Sequence, residues 1–260
     1  MKRTVIASLI FMYCVGLLCA ELLLVYLHSI FGLVTFFMLL MFTVFMVILA
    51  AWYKENDFFR LALTLLIPPC IRIVSISMPS LFINPMYSLL FIYASISILA
   101  LLVMVLLMIF TKMTLRNFGL VIGNIKIQFM IAMTGFIFGV IEYFILEPPT
   151  LIGSITFWVI LSIISIFIFT GFVEELIFRG MILTNAERIL GKTIGLIFVS
   201  VLFATMHIIW RDPIDIIFVF GIALFYGYVF LRTRSISGIA LSHGIASIML
   251  FVVMPLIGRL

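Results

Sequence analysis

Five of the ionisable side chains in the long apolar stretches of the C-terminal half could act together. They are Glu174, Glu175, Arg179, His207 and His243, distributed over three apolar segments. Because a charged side chain at the centre of a membrane span costs roughly 3 kcal/mol even on insertion scales, such residues mark functional sites by default. Two carboxylates, a guanidinium and two imidazoles on three helices predict a site for acid–base chemistry.

Helical spacing separates the two glutamates into different roles. Glu175 precedes Arg179 by four residues, which is the favourable order for an ion pair along one helix face. Glu174 is turned by about 100° around the axis, so it has no partner at that spacing. A carboxylate that is not engaged in its own salt bridge can act as a general base. We therefore predict that Glu174 is the base and that Glu175 and Arg179 support it.

The two histidines occur in similar four-residue spacings. Phe203 precedes His207 by four residues, and Ser247 follows His243 by four residues. An imidazole can polarise a carbonyl group, stabilise an oxyanion or share a proton. We expect the hydroxyl of Ser247 to support His243 from the same helix face, and the ring of Phe203 to form a wall of the pocket.

Other charged residues in the apolar segments receive a structural interpretation. Glu21, Arg72 and Glu142 are isolated in the sequence, so we expect each to be paired within the bundle or to lie near the interface. Glu142 is the first of them to reconsider as a functional residue. A single membrane histidine is also more often a hydrogen-bond partner between helices than a catalyst, so the prediction depends on all the elements occurring together.

The composition indicates that this chain lies in a lipid bilayer and not in water. Apolar residues make up 66% of the sequence and charged residues only 10%, whereas soluble domains carry about 25% charged residues. The net charge of +5 comes from scattered basic residues without a dense block, which does not indicate nucleic-acid binding. The sequence predicts a multi-pass protein of the cell membrane with the lipid bilayer as a partner.

Hydropathy predicts an all-α, polytopic transmembrane helical bundle of eight to nine spans. The nine apolar segments are 4–27, 30–52, 58–78, 86–110, 127–146, 151–183, 193–209, 214–231 and 238–255. Pro68, Pro69 and Arg72 interrupt the third segment, which we expect to be kinked or re-entrant. We divide the chain into N-terminal helices (1–110), a cytoplasmic linker (111–126) and a catalytic helical core (127–260).

The positions of His207 and His243 along their segments restrict how the core helices can pack. His207 lies about 20 Å along the seventh segment at 1.5 Å per residue, whereas His243 lies near the start of the ninth. These groups meet Glu174 only if the helices tilt, or if the sixth helix extends past Leu183.

The three spacings together resemble the CPBP family of intramembrane proteases (CAAX protease and bacteriocin-processing, or Abi), which is related to the type II CAAX prenyl endopeptidases. The family pattern is Glu-Glu-x-x-x-Arg, then Phe-x-x-x-His, then His-x-x-x-Asn or a similar small residue in place of the asparagine. This chain has Glu174-Glu175-x-x-x-Arg179 and the Phe203 and His243 motifs at the same spacing. The resemblance covers roughly residues 151–255.

The resemblance implies an endopeptidase that hydrolyses peptide bonds of membrane-associated peptides or lipidated, CAAX-type protein substrates. It assigns activation of water to Glu174 with help from His207, and the oxyanion site to His243 and Ser247. Ser247 stands where the prenyl endopeptidases have asparagine. A shorter donor predicts a weaker or water-mediated oxyanion site, which bears on prenyl specificity more than on proteolysis.

Three alternatives stay open at the sequence level. The protein could bind a membrane peptide without catalysis, as in bacteriocin immunity, or act as a proton-coupled transporter. It could also be a metalloprotease in which Glu174, His207 and His243 ligate zinc and leave a fourth position open. Our preferred interpretation has no cofactor, and the zinc-protease motif HExxH is absent from the sequence.

The loop charges give a topology that can be tested. Connections rich in Lys and Arg alternate along the chain with connections that contain few or none. The positive-inside rule then places the N-terminus in the cytoplasm. Reporter fusions at Lys2, Asn117, Lys192 and Arg234 should report the cytoplasm, and a fusion at Pro149 should report the outside. A cytoplasmic signal at Pro149 would contradict the nine-segment map.

Overall fold

The computed structural model describes residues 1–77, 85–148 and 157–257, with backbone alone for 85–94, 157–159 and 162. These residues are almost entirely helical and include no strand, which confirms the predicted all-α class. Seven helices in this part of the chain are long and apolar enough to cross a membrane, when Ile163–Trp210, which turns at Gly191, is counted as one. The polytopic bundle is therefore also confirmed. The number of crossings and the side of the N-terminus stay predictions.

The helices follow the predicted apolar segments closely. They are α1 (Arg3–Leu27), α2 (Ser29–Trp52), α3 (Asn56–Ser77), α4 (Pro85–Thr111), α5 (Ile125–Leu146), α6 (157–190), α7 (192–210), α8 (Pro213–Thr233) and α9 (Ser237–Ile257). Continuous helix satisfies the backbone polar groups internally, which the bilayer requires. Where the chain leaves the apolar region, side chains cap the helices: Asn124 caps α5, and Asp212 caps α8 ahead of Pro213. Most of the predicted loop 79–85 and the predicted start of the sixth segment at residue 151 lie outside the described residues.

Helix α3 is broken in the middle, as its prolines predicted. It consists of Asn56–Thr64 and Ile67–Ser77, with a turn between them. Pro69 has no N–H to donate to the carbonyl of Leu65, four residues earlier. The hydroxyl of the buried Tyr13, on α1, donates to that carbonyl at 2.8 Å instead. The interruption is therefore stabilised by a neighbouring helix.

Helices α6 and α7 form a hairpin at Gly191. The backbone there has φ 77° and ψ 171°, in the region that favours glycine. After the turn, α7 packs back on α6, since a Cβ at Gly195 would lie 3.1 Å from the backbone nitrogen of Glu187. The sixth helix thus extends past Leu183, which is one of the two arrangements that the sequence required.

The hairpin brings the two predicted catalytic groups to one depth. Glu174 lies seventeen residues before Gly191, and His207 lies sixteen residues after it. Similar numbers of residues therefore separate the two groups from the turn, so both lie at the same end of the hairpin.

The segment 111–126, predicted to be a linker, is packed onto the C-terminal helices. Phe118 is fully buried, and the carbonyl of Gly119 accepts a hydrogen bond from the Ile236 backbone at 3.0 Å. The hydroxyl of Ser237 donates to the carbonyl of Val121 at 3.0 Å. These contacts hold the start of α9 against the connection between α4 and α5.

Glycines allow α9 to approach its neighbours at backbone distance. A Cβ added at Gly135 on α5 would overlap the carbonyl oxygen of Ser242, and one at Gly171 on α6 would lie 2.5 Å from the carbonyl of Ala240. Small residues of this kind let transmembrane helices pack closely. His243, which follows Ser242, is thereby placed against α6.

This packing predicts a large difference between two glycine variants. Gly135→Ala should lower the melting temperature, because the new methyl group displaces α9 at a cost of about 1–3 kcal/mol. Gly221→Ala, on α8, is the control, because an added Cβ there meets no heavy atom within 4 Å. Thermal unfolding in detergent measures both variants. Equal melting temperatures would contradict close α5–α9 packing.

Candidate functional site

A buried chain of polar contacts joins α6 to α9. Oε1 of Glu175 accepts hydrogen bonds from Arg179 Nη1 at 2.8 Å and from His243 Nδ1 at 2.8 Å. Glu175 is 0% exposed and Arg179 is 1% exposed. The predicted Glu175–Arg179 ion pair is confirmed. Sequence spacing did not predict the bond to His243, which fixes the imidazole ring in place.

The two adjacent glutamates have different surroundings. The Glu174 side chain is 30% exposed, whereas that of Glu175 is completely buried. His243 Nε2 lies 3.9 Å from Oε2 of Glu174, which is beyond hydrogen-bond distance. Glu175 is thus held by two donors, while Glu174 reaches the surface of a cavity. Helical spacing predicted the contact of Glu175 with Arg179, and the role of Glu174 as the base stays a prediction.

The helix around the glutamates departs from α geometry on both sides. Residues Phe167–Val173 and Leu176–Leu183 are π-helical, and Glu174 and Glu175 lie between them. A π-helical turn rotates the following side chains relative to an α-helix, and such turns are frequent at functional sites. Sequence periodicity does not reveal this change, because it assumes a constant 3.6 residues per turn.

Aromatic rings surround the charged groups. Phe203 lies 4.9 Å from the His207 ring and 6.0 Å from the His243 ring, between centroids. The guanidinium of Arg179 lies over the Phe203 ring at 4.7 Å and over the Tyr226 ring at 5.5 Å. These cation–π contacts stabilise a guanidinium that the bilayer would otherwise disfavour. Phe203 therefore contacts both histidines and helps hold Arg179.

His207 lies on a 3₁₀ turn, Met206–Trp210, at the end of α7. Its Nδ1 lies 3.1 Å from the backbone carbonyl of Phe203. Since a carbonyl oxygen only accepts, Nδ1 carries the proton and Nε2 is the acceptor nitrogen. This ring can therefore accept a hydrogen bond from a water molecule or from a substrate.

Glu174 and His207 line one cavity of about 470 Å³, within the usual range of ligand pockets. Most of its wall is apolar and comes from α6 and α7, including Phe203. Four lining residues come from the N-terminal helices instead: Ile71, Arg72, Ser75 and Ile96. The cavity thus lies between the two halves of the chain.

His207 also borders a second, much smaller cavity. Its volume is about 20 Å³, and its lining includes Glu142 and His243. A polar cavity of this size holds about one water molecule. Glu142 therefore faces the histidines, and the isolated position that suggested a structural role in the sequence was a poor guide to its surroundings.

Arg72 is a further residue whose position the sequence did not predict. Its expected structural pairing is confirmed, because Nε donates to Oε1 of Glu21 at 2.5 Å. The same side chain lines the large cavity with Glu174 and His207. Its occurrence in an apolar segment was the available signal, but no local spacing connected it with the C-terminal motifs.

Ser247 occupies a different position from the other predicted site residues. Its hydroxyl lies 2.9 Å from the hydroxyl of Thr170 on α6 and accepts a hydrogen bond from it. The Nδ1 atom of His243 bonds to Glu175, so the expected support from Ser247 is not the contact that the structure shows there. Ser247 instead joins α9 to α6 one turn beyond the histidine.

The alternative zinc set of Glu174, His207 and His243 does not form a three-residue cluster among the described residues. Within the described ranges, no three His, Cys, Asp or Glu side chains lie close enough together to hold a metal ion. Glu174 and His243 approach each other to 3.9 Å, and His207 is not part of a three-residue cluster with them.

Residues 156–249 match the family described as type II CAAX prenyl endopeptidase Rce1-like. The matched segment contains every residue predicted for the catalytic site. The match confirms, for this part of the chain, the resemblance stated from the three motifs. No curated protein and no solved structure matches the chain.

The burial of Glu175 predicts a stability difference between the two glutamates. Glu175→Gln should destabilise the protein by about 3 kcal/mol or more, because Arg179 then lies buried without a charged partner. Glu174→Gln should change the stability little, because Glu174 is partly exposed. Thermal unfolding of the purified variants compares them. A larger loss for Glu174→Gln would contradict these roles.

Proposed function

We propose that this protein is an intramembrane endopeptidase in which Glu174 activates the water that attacks the scissile peptide bond. The observation that carries the proposal is the shared cavity: Glu174 and His207 line it together, beside the buried Glu175–His243 contact. The Rce1-like domain is that of a CAAX-type membrane protease family, so the substrate is associated with the bilayer.

The steps use Glu174 and His207, which line this cavity, and His243, whose Nε2 lies 3.9 Å from Glu174. Glu174 takes a proton from water while the water oxygen bonds to the substrate carbonyl carbon. His207 Nε2 accepts a hydrogen bond from the same water and orients it. The carbonyl oxygen becomes an oxyanion, and a protonated His243 donates to it from Nε2. Glu174 then returns its proton to the leaving amine as the carbon–nitrogen bond breaks.

Glu175 serves the reaction by holding His243. Its contact with Nδ1 directs Nε2 of the imidazole toward Glu174. Arg179 balances the charge of Glu175 within the membrane. Ser247 supports the oxyanion site indirectly, because its hydrogen bond with Thr170 joins α9 to α6 beside His243.

The apolar cavity wall favours a substrate with hydrophobic side chains near the cleaved bond. We propose lipidated, CAAX-type proteins or peptides as the substrate class, with the bilayer presenting them to the cavity. Ser247 stands where the prenyl endopeptidases have the longer asparagine, so cleavage of prenylated and of unprenylated peptides needs to be compared.

Glu174→Gln should reduce cleavage by a factor of about 100 or more, because it removes only the base. Glu187→Gln is the matched control on the same helix, since Glu187 pairs with Arg234 away from the cavity. Mass spectrometry of farnesylated and unfarnesylated CAAX peptides incubated with purified protein measures the products.

Two results of this assay would contradict the proposal. Cleavage by Glu174→Gln at the wild-type rate would exclude Glu174 as the base. Tight peptide binding without cleavage by the wild type would favour the non-catalytic, immunity-type alternative.

We further propose that catalysis needs no metal ion. Strong chelators should then leave cleavage unchanged, and the zinc content of purified protein should not correlate with its activity. Dialysis against a chelator, followed by elemental analysis and assay, tests this. One tightly bound zinc per chain, whose loss parallels inactivation, would overturn the metal-free mechanism but not the protease assignment.

A further inference from the structure

The N-terminal helices reach the proposed catalytic turn through one side chain. Arg72, on α3, is 8% exposed and donates from Nη2 to the backbone carbonyl of Met206. That carbonyl belongs to the peptide bond between Met206 and His207. Arg72 lies outside the Rce1-like segment 156–249, so this contact connects a part of the chain without family motifs to a predicted site residue.

A second hydrogen bond holds the Arg72 guanidinium from the side of α1. Nε of Arg72 donates to Oε1 of Glu21 on α1, and Glu21 is completely buried. A planar guanidinium with two of its nitrogens bonded in this way has little freedom to rotate. The helices α1 and α3 therefore hold the carbonyl next to His207 in a defined position.

The position of this carbonyl affects the orientation of the His207 ring. The turn Met206–Trp210 has 3₁₀ geometry, and the ring of His207 is further held by the carbonyl of Phe203. If the 206–207 peptide rotates, the Cα–Cβ bond of His207 rotates with it. Nε2 then no longer faces the cavity that His207 shares with Glu174.

We propose that Arg72 is a positioning residue for His207, held by Glu21, and that α1 and α3 thereby form part of the catalytic apparatus. The proposal rests on the proposed function for its kinetic consequence. Its structural content, that Arg72 sets the orientation of the His207 ring, stands apart from any activity.

The decisive variant removes the donor without leaving a buried charge. Glu21→Leu combined with Arg72→Met replaces the ion pair by apolar side chains, an exchange that is often neutral or stabilising for a buried pair. The single variant Arg72→Met leaves Glu21 unpaired and is less informative if it fails to fold. Arg60→Met is the matched control, because Arg60 lies on the same helix and also donates to a backbone carbonyl, that of Thr111, at 3.0 Å.

The first measurement does not depend on activity. The chain contains three histidines, so ¹⁵N-histidine labelling gives few imidazole signals, and single substitutions assign them. In the double variant we expect the His207 signals to shift, while those of His28 and His243 stay in place. The Arg60→Met control should leave all three unchanged. An unchanged His207 signal in a folded double variant would overturn the proposal.

The second measurement is the cleavage assay. The double variant should lower kcat by about tenfold or more with KM within about twofold, because a misdirected group slows the reaction without weakening binding. Wild-type kcat in the double variant would show that Arg72 only neutralises Glu21. A raised KM with unchanged kcat would make Arg72 a substrate-binding group; either result overturns the proposal. If the wild type cleaves no peptide, the proposed function fails, and the histidine signals still decide whether Arg72 positions His207.

Discussion

A charge buried at membrane depth needs a partner, and the arrangement of this bundle follows from that requirement. Glu175 is satisfied by Arg179 on its own helix and by His243 on α9. Glu21 on α1 and Arg72 on α3 meet the same requirement in the N-terminal half. Because an unpaired ion in hydrocarbon is so unfavourable, each pair fixes the relative position of the helices that supply it, and the cavity forms between the helices so fixed.

The sequence predicted those features that depend on neighbours within one helix. The Glu175–Arg179 pair follows from a spacing of four residues, and the break in α3 follows from Pro68 and Pro69. The apolar segments correspond closely to the helices because the bilayer imposes continuous backbone hydrogen bonding. The fold class could therefore be predicted almost entirely from composition and periodicity.

Contacts between distant segments could not be predicted in the same way. Glu175 and His243 are 68 residues apart, and Arg72 and Met206 are 134 residues apart. The first contact depends on how closely α6 and α9 approach, which Gly171 allows. Ser247 shows how far such spacing arguments reach. Its spacing of four from His243 predicted that its hydroxyl would support the imidazole, but the hydroxyl bonds to Thr170 on α6.

Nearly equal lengths of chain separate Glu174 on α6 and His207 on α7 from the hairpin turn at Gly191. Glu174 and His207 reach the same depth only because seventeen and sixteen residues separate them from the turn. One residue inserted into either arm would move Glu174 or His207 by about 1.5 Å and rotate it by about 100°. A change in the length of one arm therefore needs a compensating change in the other if the two side chains are to keep lining one cavity.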